Sequence, residues 1–152
     1  MKKINFKELF TFIILTLVIG FFGGILGNTS NYQNLLKPSF SPPAYVFPIV
    51  WTLLYILMGI SLYIAYNKSL DKNILKIYII QLIVNIIWPL IFFRLEFRFL
   101  AFIWIILLII LATIMTVKFY KIKPISGLIQ IPYILWLIFA MILNYYVYIL
   151  NK

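Results

Sequence analysis

Apolar positions along this chain fall in long unbroken runs, without the strict alternation of a half-buried strand or the stripe of a surface helix. Five such runs stand out, at about residues 9–27, 45–66, 74–93, 99–117 and 127–150. Each approaches the roughly 20 residues that an α-helix needs to cross a bilayer. Runs such as Ile103–Leu111 are continuously apolar, which excludes a membrane β-barrel, whose strands alternate. The pattern predicts an all-α membrane protein, a bundle of five transmembrane helices forming one domain over residues 1–152. The first run competes with a signal peptide. It is too long for an ordinary h-region, and the Gly-Asn-Thr-Ser that follows is a poor cleavage site, so it is read as a retained helix.

The segments between runs are mostly short polar turns, at 67–73, 94–98 and 118–126. The exception is 28–44, where Pro38, Pro42 and Pro43 restrict the backbone and Tyr32 and Phe40, with Tyr45 just beyond, supply something to bury. A loop of that content is expected to fold back over the bundle as a lid. Pro89 predicts a kink near the end of the third helix, and Pro132 lies early in the fifth. The first helix carries Gly20, Gly23, Gly24 and Gly27, two overlapping G-x-x-x-G frames that allow close approach of another helix. That partner is either a second span of this chain or a second copy.

Composition narrows the chemistry. The chain has 152 residues, 65% of them apolar and 11% charged, with no cysteine and no histidine. Disulfides, thiolate nucleophiles, the usual zinc sites and any Ser-His or Cys-His pair are thereby removed, and no metal site is expected. The acids are Glu8, Asp71 and Glu96, none within a predicted span, so ordinary acid–base catalysis has no candidates there. The same lack argues against transport driven by protons or sodium, which calls for an intramembrane charge. Lys76, at the start of the third helix, can snorkel to the interface.

The net charge of +10 is spread over every connection, which fits anionic lipid headgroups and membrane topology better than nucleic acid. The amino terminus and the second and fourth connections carry Lys2, Lys3, Lys7, Lys68, Lys72, Lys76, Lys118, Lys121 and Lys123. The other side carries Lys37, Arg94, Arg98 and Lys152. Nine against four places the amino terminus in the cytoplasm of a bacterial plasma membrane, with the long loop outside.

Inside the spans lie aromatic rings and a few amides. Gln81, Asn85, Trp88 and Phe92 share one face of the third helix; Tyr133, Trp136, Ala140 and Asn144 share one of the fifth; Trp51 and Tyr55 share one of the second. Such amides can be interhelical glue and such rings interfacial belts, and Tyr145, Tyr146 and Tyr148, near a helix end, read as a belt. The inner set reads as a pocket. Trp51 lies about 9 Å inside its span and Trp88 about 7.5 Å from the end of its own, both beneath the Pro-rich loop. A neutral aromatic cavity with its floor near the midplane favours a flat apolar ligand.

Three groups of residues resemble the TspO/MBR family, the tryptophan-rich sensory proteins related to the mitochondrial translocator protein. They are Tyr32 with Leu36-Lys-Pro-Ser-Phe-Ser-Pro-Pro43 and Val46-Phe-Pro-Ile-Val-Trp-Thr-Leu-Leu-Tyr-Ile-Leu-Met-Gly59; Gln81-x-x-x-Asn85-x-x-Trp88 with Phe92-Phe93; and Pro132-Tyr-Ile-Leu-Trp136-x-x-Phe-Ala140-x-x-Leu-Asn144. The resemblance implies a five-helix bundle, commonly a homodimer, that binds tetrapyrroles such as protoporphyrin IX. Carried over by position, the ligand site uses Tyr32, Trp51, Gln81, Asn85, Trp88, Phe92, Trp136 and Ala140. Some bacterial relatives degrade bound porphyrin in light, which makes Trp51 and Trp136 the candidate catalytic residues. A passive transporter or scaffold is the further alternative. The sequence departs from the family at Phe40, usually Trp, and at Asn31, often Trp, so its lid contacts should differ. The loose sterol-recognition pattern occurs twice, at Leu143 to Lys152 and Leu57 to Lys68, and carries no prediction.

The charge asymmetry makes a topological prediction. A reporter fused after Lys152 should behave as external and one inserted within 67–73 as cytoplasmic; the opposite pattern reverses the orientation and leaves five spans intact.

Overall fold

A computed structural model describes residues 4–69 and 71–152. Lys2 and Lys3, counted above in the charge asymmetry, lie outside it, as does residue 70 within the 67–73 turn. Helices α1 (Phe6–Gly27), α2 (Val46–Ser69), α3 (Lys72–Pro89), α4 (Arg98–Ile122), α5 (Pro124–Leu128) and α6 (Ile131–Leu150) account for most of the chain. The last two form one interrupted span, and five helical stretches are long and apolar enough to cross a membrane. Among the described residues there is no strand.

The helices outrun the apolar stretches that reveal them. Helix α4 continues past Lys118 to Ile122, and the last span starts at Pro124, three residues before its apolar run. Backbone hydrogen bonding does not stop where hydrocarbon stops, and lysines at helix ends can reach the interface. Counting apolar residues therefore shortens each helix.

Local chemistry sets the ends. The Asn5 side chain accepts from the Glu8 N–H at 3.4 Å to cap α1, while its own N–H donates to the Tyr63 hydroxyl at 2.8 Å, tying that end to α2. At the far end Asn28 adopts φ 47°, a left-handed conformation that asparagine tolerates, and turns the chain into a 3-10 helix over Thr29–Asn34. Asp71 caps α3 by accepting from the Asn73 N–H at 2.9 Å. Pro89 has no N–H to continue the α pattern, and the chain leaves α3 through a π-helical turn at Leu90–Arg94. Pro132 sits in the first turn of α6, where a missing donor is harmless. The short α5 is anchored from both sides: Ser126 Oγ donates to the Phe119 carbonyl of α4 at 2.8 Å, and Ser61 Oγ of α2 donates to the Ser126 carbonyl.

In the bundle α1 packs on α2 and α3, and α4 packs on α3, α5 and α6. Lipid tails are as apolar as leucine, so close contact rather than hydrophobic exclusion holds such helices together. Small residues mark where that contact is tightest. A Cβ at Gly59 of α2 would lie 2.7 Å from the Ile13 Cα of α1. On α1, a Cβ at Gly23 would lie 3.1 Å from the Ile86 Cα, one at Gly27 would lie 2.8 Å from the Pro89 Cβ, and one at Gly20 would strike the Tyr55 ring. The glycine frames are thus used within the chain. Gly24 differs, since a Cβ there meets nothing within 4 Å. Helix α1 meets α2 most tightly at Ile13 and Gly20, and α3 at Thr16, whose hydroxyl lies 2.6 Å from that of Tyr78, and at Gly23 and Gly27.

Unequal packing predicts unequal mutational costs. Gly59→Leu should cost about 1–3 kcal/mol or more through overpacking, whereas Gly24→Ala should be neutral or stabilising by up to about 1 kcal/mol. Unfolding in mixed detergent micelles measures both, and equal losses would contradict this packing.

Candidate functional site

Midway along the bundle four polar side chains satisfy one another. Tyr55 of α2 donates to Asn85 Oδ1 of α3 at 2.7 Å, Asn85 Nδ2 donates to the Tyr133 hydroxyl of α6 at 2.9 Å, and Tyr133 donates to Gln81 Oε1 of α3 at 2.9 Å. All four are buried. The chain of bonds runs in one direction, each group donating to the next. It ends at Gln81 Nε2, which is buried and finds no protein acceptor.

On this polar layer stands a cavity of about 740 Å³, walled by α1, α2, α3 and α6. Its lining carries no charged side chain. The rings around it are braced rather than loose. Trp51 stacks on Tyr55, with centroids 5.6 Å apart, and meets Tyr133 edge-on at 6.4 Å. Trp88 stacks on Phe92 at 5.1 Å and donates its indole N–H to Asn144 Oδ1 at 3.2 Å, while Asn144 Nδ2 donates to the Arg98 carbonyl. Trp136 meets Phe47 edge-on at 5.9 Å and lies 5.4 Å from Phe139. Its buried indole N–H has no acceptor.

The segment 28–45 crosses the end of the bundle above the cavity. Tyr32 is buried beneath it, edge-on to Phe47 and Phe93 at 5.6 and 5.7 Å. The Lys37 ammonium lies 4.7 Å over the Tyr32 ring. Leu36 and Asn151 form a reciprocal pair: the Leu36 N–H donates to Asn151 Oδ1 at 3.0 Å, and Asn151 Nδ2 donates to the Leu36 carbonyl at 2.8 Å. Phe40 rests edge-on against Tyr146, 5.3 Å away, and Asn31 donates to Glu96 at 3.4 Å. The two positions where tryptophan was expected from the resemblance thus have contacts of their own.

Of the eight residues singled out as a ligand site, Tyr32, Trp51, Asn85, Trp88, Phe92, Trp136 and Ala140 line this cavity. Gln81 does not. It sits one layer below and holds Tyr133, which makes it a positioning residue. Sequence reasoning left out the wall contributed by α1, including Leu17, Gly20, Phe21, Gly24 and Ile25. The sequence signal is Gly24: its G-x-x-x-G frame reads as a helix contact, yet a Cβ there would meet nothing within 4 Å. Phe47, which bridges Tyr32 and Trp136, was quoted within a motif and given no role.

Residues 12–150 match the model of the TspO/MBR family. The chain is 36% identical to the tryptophan-rich protein TspO of Archaeoglobus fulgidus over 152 residues, covering 97% of this chain and 99% of that one. It is 34% identical to protein CrtK of Rhodobacter capsulatus over 134 residues, covering 85% and 83%. It is also 34% identical to the human translocator protein over 122 residues, covering 77% and 72%.

The polar layer generates a graded prediction. Tyr133→Phe removes a group that both accepts and donates, stranding two amides, and should cost about 1–2 kcal/mol. Tyr55→Phe strands only one acceptor and should cost about half as much. Unfolding of the two variants in mixed micelles checks the order, which a simple loss of packing would not produce.

Proposed function

Because the chain belongs to the TspO/MBR family, we propose that its cavity binds a flat, largely apolar ligand, with tetrapyrroles such as protoporphyrin IX as the class. The protein then acts as an integral membrane binding protein or sensor, its amino terminus in the cytoplasm and its long loop outside a bacterial plasma membrane. The observation that carries this reading is the neutral cavity of about 740 Å³ walled by Trp51, Trp88 and Trp136. Its volume falls within the roughly 300–1,000 Å³ usual for small-molecule sites. Three indoles offer stacking faces to a planar ring, the Asn85 layer closes the bottom, and Lys37 at the rim offers a cation towards which propionates can point. A homodimer would have to use surfaces other than Gly20, Gly23 and Gly27, which are consumed inside the chain.

Recognition should come from the ring and not from a central metal. Haem iron is ordinarily held by His, Cys, Met or Tyr, and the first two are absent from the chain. Tyr55 and Tyr133 at the floor have their hydroxyls engaged with amides.

Titration of purified protein with protoporphyrin IX, in darkness and then under illumination, tests the proposal. The expected result is saturable binding of metal-free protoporphyrin about as tight as that of haem. Trp136→Ala should weaken both several-fold, since an aromatic pair adds roughly 0.5–1.5 kcal/mol beyond area burial. Stable spectra under light mark a binder, and light-dependent loss that requires Trp136 marks an enzyme. Haem binding far tighter than the metal-free ring, abolished by one Tyr or Met substitution, would refute ring recognition.

A further inference from the structure

The cavity walls are not equally closed. The seam between α1 and α3 is sealed where Gly23 meets Ile86 and Gly27 meets Pro89. The seam between α2 and α6 is bridged by Trp51 against Tyr133 and Phe47 against Trp136. The seam between α3 and α6 is tied by Trp88 and Asn144. Above, the loop is held to the end of α6 by the reciprocal Leu36–Asn151 pair. The remaining seam joins α1 to α2. These helices are in tight contact low in the bundle, at Gly59 against Ile13 and Gly20 against the Tyr55 ring, and above that level a Cβ at Gly24 would meet nothing within 4 Å. There Phe21, Gly24 and Ile25 of α1 and Pro48 and Thr52 of α2 line the cavity and are exposed, Phe21 to 73% and Ile25 to 58%, and the opening continues to Thr29, Gln33 and Ala44 of the loop, which also line it and are exposed. Residues that line a cavity and are exposed at once define its mouth.

Most of that mouth lies along the loop-side halves of two helices long enough to cross a membrane, where acyl chains would surround it. We propose that the ligand enters and leaves sideways from the bilayer, through a portal between the loop-side halves of α1 and α2 whose width is set by the missing side chain at Gly24. The inference rests on the cavity being a ligand site. Its chemical consequence is selection before binding: a compound must first dissolve in the membrane at that depth, so partitioning contributes to specificity alongside stacking on the indoles. Helix packing explains why the opening survives. The contacts of α1 with α3 hold its upper half away from α2, and an apolar gap facing lipid carries no cost of unpaired polar groups.

The chain has no cysteine, so Ile25→Cys with Thr52→Cys supplies the only two thiols for a cleavable bifunctional reagent. With the protein in lipid nanodiscs and protoporphyrin IX as probe, bridging before addition should slow association, and bridging after loading should slow release. Each rate should fall at least about tenfold, because the bridge obstructs passage, and cleavage should restore it. Gly24→Phe, whose Cβ starts in open space, should slow both rates without a bridge while the helical circular dichroism of the protein stays unchanged. If neither change alters exchange while Asn151→Ala accelerates it, the ligand moves through the loop and the portal is refuted. Failure of the unaltered protein to bind protoporphyrin saturably would overturn the ligand site and the portal together, whereas saturable binding with unaltered exchange overturns the portal alone.

Discussion

Hydrocarbon offers no partner to a hydroxyl or an amide, so a polar side chain inside a membrane bundle must find one in the protein. Tyr55, Asn85, Tyr133 and Gln81 meet that demand with one another for all but the Gln81 Nε2 group, and in doing so they lock α2, α3 and α6 together at a single depth. Interhelical hydrogen bonds of this kind contribute about 0.6 kcal/mol on average in membranes, rarely above about 1.7. Three of them cannot dominate the stability of the bundle. What they do is specify it, since a rotation of any one helix would strand its neighbours' amides. Above that level the three helices are free to hold large rings apart; below it they pack with α4 as an ordinary core that includes Met58, Leu62, Ile74 and Met115.

The position of α1 follows from a second constraint, the placement of glycines. Gly59 and Gly20 bring α1 against α2 from its N-terminal part to the level of Tyr55, while Gly23 and Gly27 bring it against α3 near the loop. One helix cannot stay in close contact with both partners along its full length. The result is a wedge between α1 and α2, with Gly24 facing into it, and this wedge together with the polar floor accounts for the cavity. The loop adds a cover pinned at Tyr32, Phe40 and Leu36.

Much of this was legible in the sequence, and the rest fails to show for identifiable reasons. Five spans could be counted because each apolar run is long and uninterrupted, yet their ends were misjudged where lysines continue a helix into the interface, as at Lys118 and Lys121. The face formed by Asn85, Trp88 and Phe92 could be found because helical spacing alone puts those residues together. Gln81 shares that spacing but lies too deep, and spacing carries no depth relative to a cavity. Tyr133 appeared on the right face without a role, because its partners lie 48 and 52 residues away in sequence. The α1 wall was the hardest to see: Phe21 and Ile25 look like any lipid-facing residues, and only the splay of the helix turns them into a rim.

The central claim is that a planar ring occupies the space between the three indoles, above Asn85. Determining the structure of the protein with protoporphyrin IX bound tests it most directly. The account expects the macrocycle between Trp51, Trp88 and Trp136, with its propionates turned towards Lys37 and the floor bonds of Tyr55 and Tyr133 unbroken. A macrocycle lodged on the lipid-facing surface of the bundle, with the cavity filled by an acyl chain, would contradict it.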